Sequence, residues 1–259
     1  TNGSMINLGT IASGLSCGAH ELNDSGQVVG YCGGGGFLYH NGLMTAVGGG
    51  PALGINNAGQ IVGVSRMANG EDHAFLKNPG SSVLIDLGTL GGNYSEAWDI
   101  NDSGQIAGVA RTASGAYHAF LREPNGLMRD LGTLGNANAS GSGINTAGWV
   151  VGYGDGLSGQ TRGFVYRPSS AVTVTTNPIG LPFTTPQAFG WDIGSSHTIS
   201  TVLQQVGTPG TRYNWSNWSD GGAVSHTVTA NNATTYTANF TTQHQLTMNA
   251  SNGGAVGPA

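Results

Sequence analysis

Few residues in this chain are placed to do chemistry. Ser16 sits in Gly14-Leu-Ser-Cys-Gly18, the spacing of a nucleophile elbow. That motif needs a strand, a sharp turn and a helix to present its serine. Here it lies in a glycine-rich hairpin, where chance accounts for it. His73 and His118 recur at equivalent positions, each two residues before a phenylalanine. A metal centre needs several ligands converging; one histidine per repeat points instead to a hydrogen bond between strands or repeats. The Asn-Asp-Ser-Gly turns at 23–26 and 101–104 gather oxygens but lack the acidic series and the bidentate glutamate of a calcium loop. Asp86, Asp99 and Asp130 occupy repeat positions, which points to structure. There is no Cys-x-x-Cys, phosphate loop or dinucleotide fingerprint. The expectation is no catalytic residue, no bound metal and no cofactor.

Two pairs carry more weight. Cys17 and Cys32 flank the turn at Asp24-Ser25, and their positions sum to 49, as do those of the turn pair. A hairpin centred there sets them opposite one another, give or take a bulge. A disulfide is predicted, closing a loop worth roughly 3 kcal/mol in the chain-entropy model, and structural disulfides belong to oxidising compartments. Trp215 and Trp218 place two indoles close together. Trp215 shares the alternation of Tyr213 and is predicted to lie in a core. Trp218 would then face the other way or sit at a bend, where an exposed ring could stack on a sugar.

The elements that hold these residues announce themselves by repetition. Leu22-Asn-Asp-Ser-Gly-Gln-Val-Val-Gly30 returns as Ile55–Gly63, Ile100–Gly108 and Ile144–Gly152, with the asparagines at 23, 56, 101 and 145. Steps of 33, 45 and 44 residues mean a repeat architecture. One unit reads from 83 to 124 as four short strands, 83–87, 96–100, 105–110 and 117–121, joined by tight turns. Asn or Asp followed by Gly supplies the positive φ those turns require. Four strands in about 44 residues describe a β-propeller blade, and a lone blade cannot bury both faces, so neighbours must stack. Gly30, Gly63, Gly108 and Gly152 fall mid-strand and argue for close backbone approach. The same pattern could serve a β-solenoid.

The phrases His73-Ala-Phe-Leu76 and His118-Ala-Phe-Leu121, followed by Asp-Leu-Gly-Thr-Leu-Gly at 86–91 and 130–135, resemble the HAF-repeat family. That family is named for its His-Ala-Phe triplet and occurs in bacterial extracellular proteins. The resemblance covers roughly residues 5–168. It departs at Gly36-Phe-Leu-Tyr39 and Gly163-Phe-Val-Tyr166, and terminal repeats are commonly atypical. It implies an exported, propeller-like protein and no reaction.

After Arg167-Pro-Ser-Ser170 the repeat phrase stops and threonine becomes abundant. Strands are expected at 171–176, 196–200, 211–215, 225–229 and 235–240, with Ser219-Asp-Gly-Gly222 as a turn, in a small Ig-like sandwich. Trp218-Ser-Asp-Gly-Gly222 and Thr235-Tyr-Thr-Ala-Asn-Phe240 resemble modules found in tandem in large bacterial surface proteins. The stretch near 180–190 is short for such a module. Residues 245–254 echo 171–180, and 243–259 read as the first strand of a further truncated module, or as a donor strand for a neighbouring molecule. The predicted organisation is therefore 1–168, 169–242 and 243–259, all-β throughout. The chain opens inside one repeat and stops inside a half-made module, which predicts a trimmed piece of something longer.

Composition bounds the rest. Charged residues are 8% of the chain, against roughly 25% in ordinary soluble domains. Net charge is −5 and no basic stripe exists, which argues against nucleic-acid binding. No apolar run reaches the ~18 residues of a spanning helix. With glycine at 46 of 259 residues and a single lysine, the sequence suits life outside the cell. Two functions follow as expectations. One is a non-enzymatic, exported bacterial structural protein at the cell surface, a subunit of a filament or sheath that self-assembles through an exposed β-edge or its C-terminal strand. The other is an adhesin or carbohydrate-binding module using a propeller face or Trp218, with glycans as partners.

Overall fold

The structure, a computed structural model, describes residues 3–179, 181 and 187–245. The chain divides into two compact units, Thr1–Arg167 and Pro168–Ala259. Every regular element among the described residues is a β-strand, and no helix is long and apolar enough to cross a membrane.

The first unit is a series of antiparallel meanders. The first repeat holds β1 (Cys17–Leu22), β2 (Val28–Cys32), β3 (Gly35–His40) and β4 (Leu43–Ala46). The second holds β5 (Ala52–Ile55), β6 (Ile61–Arg66), β7 (Asp72–Lys77) and the short β8 (Ile85–Asp86). The third holds β9 (Gly91–Ile100), β10 (Ile106–Thr112), β11 (Tyr117–Arg122) and β12 (Met128–Gly132). The fourth holds β13 (Gly135–Ile144), β14 (Val150–Gly156) and β15 (Thr161–Tyr166). The expected quartet is thus a trio in the last repeat, because the chain leaves β15 through Arg167-Pro168 into the second unit, and proline has no N–H to give a sheet. Single parallel bridges, Asp72 to Tyr94 and Tyr117 to Asn138, link β7 to β9 and β11 to β13.

The repeated phrase makes the same turn each time. In the first copy the Asn23 amide donates to the Gln27 carbonyl at 3.0 Å, and the Gly26 amide to the Asn23 carbonyl at 3.0 Å. Gly26, Gly59, Gly104 and Gly148 take φ of 72°, 76°, 77° and 76°, a region that costs side-chain-bearing residues dearly. The asparagine side chain then does two jobs. Its oxygen accepts local amides, such as that of Gln27 at 3.0 Å. Its nitrogen reaches the next repeat: Asn23 Nδ2 donates to the Asn56 carbonyl at 3.0 Å, Asn56 to Asn101 at 3.1 Å and Asn101 to Asn145 at 2.9 Å. The first three asparagines are buried, so this ladder satisfies groups that would otherwise be costly.

The mid-strand glycines have a local cause. A β-bulge between Ala19 and Glu21 brings the Gly18 carbonyl against Gly30, while the Phe37 ring packs on the same spot, 2.8 Å from where a Cβ would stand. Gly63, Gly108 and Gly152 meet the Pro51, Glu96 and Ser140 carbonyls and the Phe75, Phe120 and Phe164 rings in the same way. Crowding comes from the neighbouring strand and the repeat's own phenylalanine.

The cores lie between repeats. Val29 and Val47 of the first repeat cluster with Ile55, Ile61 and Phe75 of the second. Val62 and Leu87 of the second cluster with Ile100, Ile106 and Phe120 of the third. Ala107 and Leu121 of the third cluster with Val150 of the fourth, with Phe164 packed beside them.

The second unit holds β16 (Ser169–Asn177), β17 (Gln187–Asp192), β18 (Ser196–Ser200), β19 (Gln204–Val206), β20 (Thr211–Trp218), β21 (Ser225–Thr229) and β22 (Thr234–His244). Five form a sheet in the order β17-β16-β22-β20-β19, and β18 pairs with β21. Ile199 and Val228 from the pair pack with Trp218, Ala238 and Phe240 from the larger sheet. β22 runs on to His244, where it pairs with Thr211, so the start of the expected 243–259 tail belongs to this sheet. Residues 246–259, and 182–186 within the short stretch near 180–190, lie outside the described residues.

Candidate functional site in the repeat array

The residues singled out by type fall into structural roles. Cys17 and Cys32 are paired in the β1–β2 register and joined by a disulfide. His73 Nδ1 lies 2.9 Å from Asp86 and His118 Nδ1 2.8 Å from Asp130, each tying the third strand of its repeat to the fourth. Among the described residues no group of three or more His, Cys, Asp or Glu is arranged to hold a metal ion. No helix follows Ser16 among the described residues, so the nucleophile-elbow pattern lacks its geometry.

Trp218 corrects the expectation of an exposed ring: it is 2% exposed. The reason is a register shift in β20. Trp215 pairs with Phe240, but Asn217 pairs with Asn239 and Trp218 with Ala238. The extra residue turns a three-residue spacing, which ordinary alternation sends to opposite faces, into two indoles on one face. Trp218 Nε1 donates to the Val224 carbonyl at 3.3 Å, and Trp215, half-buried, packs against the same cluster. The Trp218 ring is not free to stack on a sugar.

The concavity with the chemistry of a binding site lies elsewhere, between the third and fourth repeats. It encloses about 380 Å³ and is lined by Tyr94, Glu96, Trp98, Tyr117, Tyr153 and Asp155, with Asn138 and Ser140 among its polar neighbours. Strand geometry builds it. Tyr94 and Glu96 alternate along β9 and so share a face, Trp98 joins them from the bulge between Ala97 and Asp99, Tyr117 opens β11, and Tyr153 and Asp155 share a face of β14. The Tyr94 and Tyr117 rings meet edge to face with centroids 5.8 Å apart, and the Arg111 guanidinium sits 5.0 Å over Tyr117. Trp98 lies 6.2 Å from the ring of His20. Tyr153 is 52% exposed, so it offers a ring at the cleft's mouth.

Its polar groups are partly committed. Tyr94 Oη donates to Glu96 at 2.9 Å, and Asn138 Nδ2 donates to Asp155 at 3.2 Å. Burial pushes the Glu96 carboxyl up, against the opposing pull of Tyr94 and His20. The Tyr94 phenol is held above its usual range by burial and by the Glu96 charge. Two buried polar atoms on cleft residues, Trp98 Nε1 and Ser140 Oγ, have no partner among the described residues.

A second concavity of about 370 Å³ gathers the four turn phrases. Glu21 accepts from the Ile55 amide at 2.7 Å and Asp99 from the Ile144 amide at 2.7 Å. Burial, aided by the Asp99 charge, pushes Glu21 up to about 7; burial also raises Asp99. Both carboxylates are engaged in joining repeats.

Alignment of the repeats could have located the cleft. The Tyr153 position is Tyr31, Val64 and Val109 in the other copies, and the Trp98 position is His20, Leu53 and Ser142. Large rings at variable columns inside a constant frame mark a surface free to specialise.

No protein-family model matches the chain, and no curated protein matches it. Among solved structures it is similar to TolB from Acinetobacter baumannii, at 9% identity and a TM-score of 0.46, over 85% of this chain and 55% of that one. The match therefore spans little more than half of that protein's length.

Proposed function

We propose that this chain is a non-enzymatic bacterial surface protein, exported to an oxidising compartment, that binds a glycan in the cleft between its third and fourth repeats. The repeats are read as propeller-type blades and the second unit as an Ig-like sandwich that carries them. The observation that carries this reading is the cleft: four aromatic rings beside carboxylates and an amide. Aromatic rings stack on the apolar faces of sugars while their polar edges and neighbouring groups take up hydroxyls. The disulfide and the His-Ala-Phe phrases support export.

A glycan array followed by calorimetry tests it. Tyr153→Ala should weaken binding of the recognised glycan at least tenfold, about 1.4 kcal/mol, without changing the melting temperature. Binding unchanged by both Tyr153→Ala and Trp98→Phe would remove the cleft from the account. Release of reducing sugar by the wild type, lost in Glu96→Gln, would replace the binding reading with an enzymatic one.

A second reading, a structural subunit of a filament or sheath, is favoured by a different observation: the outer edge of β15 is unpaired among the described residues.

A further inference from the structure

One cross-strand position changes its charge along the array. Arg66 stands opposite Asp72 across β6 and β7, Arg111 opposite Tyr117 across β10 and β11, and Asp155 opposite Thr161 across β14 and β15. These are equivalent positions, set by the phenylalanines at 75, 120 and 164. The second repeat fills them with an ion pair, Arg66 Nη1 lying 3.7 Å from Asp72. The third sets the Arg111 guanidinium 5.0 Å over the Tyr117 ring, with Nε donating to the Gly115 carbonyl at 3.2 Å and Nη1 to Asn93 at 3.3 Å. The fourth puts a carboxylate where the other two put a guanidinium.

That exchange bears on the cleft, whose lining Asp155 shares with Glu96 of β9. Glu96 is equally foreign to the repeat frame: its counterparts are Gly18, Pro51 and Ser140. Both acids are half-buried. Among the described residues both accept from neutral groups, Glu96 from Tyr94 Oη at 2.9 Å and Asp155 from Asn138 Nδ2 at 3.2 Å and Thr161 Oγ1 at 3.5 Å. A carboxylate offers about four acceptor positions, so each can take further donors. The basic side chains nearby are turned elsewhere: Arg111 to Gly115 and Asn93, and His20 to the Trp98 ring, 6.2 Å away. Two acids drawn out of water without a counter-charge are costly, and a cation offsets that cost.

The rings favour the same charge. Tyr94 and Tyr117 meet at 76° and give the cleft two walls at nearly a right angle, and ring faces attract cations. A quaternary ammonium would use ring faces alone. Carboxylates with acceptor positions to spare suit an ammonium that has N–H groups to donate.

We propose that the glycan of this cleft carries free amines: it is a de-N-acetylated amino-sugar chain, whose ammonium is taken by Glu96 and Asp155 while the aromatic rings pack on the sugar faces. This rests on the glycan reading of the cleft and adds the charge of the ligand. An N-acetyl group in place of the ammonium would bring a single N–H and no charge, leaving both carboxylates uncompensated. The chain's net charge of −5 favours the approach of such a polycation.

The test is calorimetry on the full-length chain with oligosaccharides of one linkage and equal length: oligomers of glucosamine, of N-acetylglucosamine and of glucose. The glucosamine oligomer should bind about tenfold more tightly than either of the others, and its advantage should shrink as salt is raised. Asp155→Arg gives the fourth repeat the residue that the second and third already accommodate; it should leave the melting temperature unchanged and remove the advantage. Glu96→Gln should reduce it. Equal binding of the acetylated or glucose oligomer, weakened by Tyr153→Ala, overturns the proposal and leaves the glycan reading standing. An advantage that survives both Asp155→Arg and Glu96→Gln overturns it as well, because the amine is then held elsewhere. Oligolysine that binds as tightly as the glucosamine oligomer overturns it by showing recognition of charge alone. Binding by none of the three oligomers overturns it, and a hit elsewhere on the glycan array would then keep the broader reading.

Discussion

The two units hold themselves together in opposite ways. In the second, both sheets pack one cluster that includes Trp218. In the first, no repeat owns a core. Each apolar cluster spans two neighbouring repeats, and buried asparagines donate across those same junctions. A unit built around its own core is finished when its chain is finished. A unit built from junctions has ends, and its ends carry the same chemistry as its middle. Concave surface then arises at seams, which is where the aromatic cleft lies.

The sharpest break in this comparison should come from Trp218→Ala. A large buried ring removed from a single core costs about 3–5 kcal/mol. Differential scanning calorimetry should show the transition of the second unit lost or moved far down, with the transition of the first unit unmoved. Next comes the Cys17→Ser, Cys32→Ser pair, expected to cost ~3 kcal/mol from a closed loop of 15 residues and to lower only the first unit's transition.

The ladder separates middle from end. Asn101→Ala removes the side-chain acceptor of the Ser103 and Gln105 amides and one of the two donors to the Asn145 carbonyl, which keeps the Gly148 amide, a loss of about 1–3 kcal/mol. Asn145→Ala, at the exposed end, should stay near 0.5 kcal/mol or below. Urea melts of the two variants read the contrast directly.

The smallest effect is one of pH. The Glu21 carboxyl rises from its ordinary 4.5 to about 7 on folding. A raised acid means the folded state holds the proton more tightly than the unfolded one, so stability falls as pH rises between these values and levels off above them. Glu21→Gln keeps an oxygen for the Ile55 amide and should flatten that slope. An unchanged slope would assign it to Asp99 or Glu96, whose carboxyls burial also raises.

Much of the frame was readable because it repeats. The turn phrase located the hairpins, the symmetry of Cys17 and Cys32 about Asp24-Ser25 gave their register, and the recurring glycines announced close contact. What could not be read was whatever depends on one extra residue or on meeting across a seam. The bulge in β20 reversed the facing of Trp218, and no alternation pattern reveals a bulge in advance. The three-stranded fourth repeat was hidden because the repeat phrase does not reveal that the chain leaves β15 at Arg167-Pro168. The cleft drew on Tyr94, Trp98, Tyr117 and Tyr153, which come from three strands of two repeats and stand at the positions where the repeats disagree.

The dependence of each repeat on its neighbours is tested most directly by hydrogen exchange on Asn56→Ala. Asn56 bonds its own turn and the third repeat, and it accepts from the first. Loss of amide protection spreading through β2, β6 and β10 alike, with β16–β22 unaffected, is the predicted result. Loss confined to β5 and β6, with the first and third repeats as protected as before, would contradict it and make each repeat a self-sufficient unit.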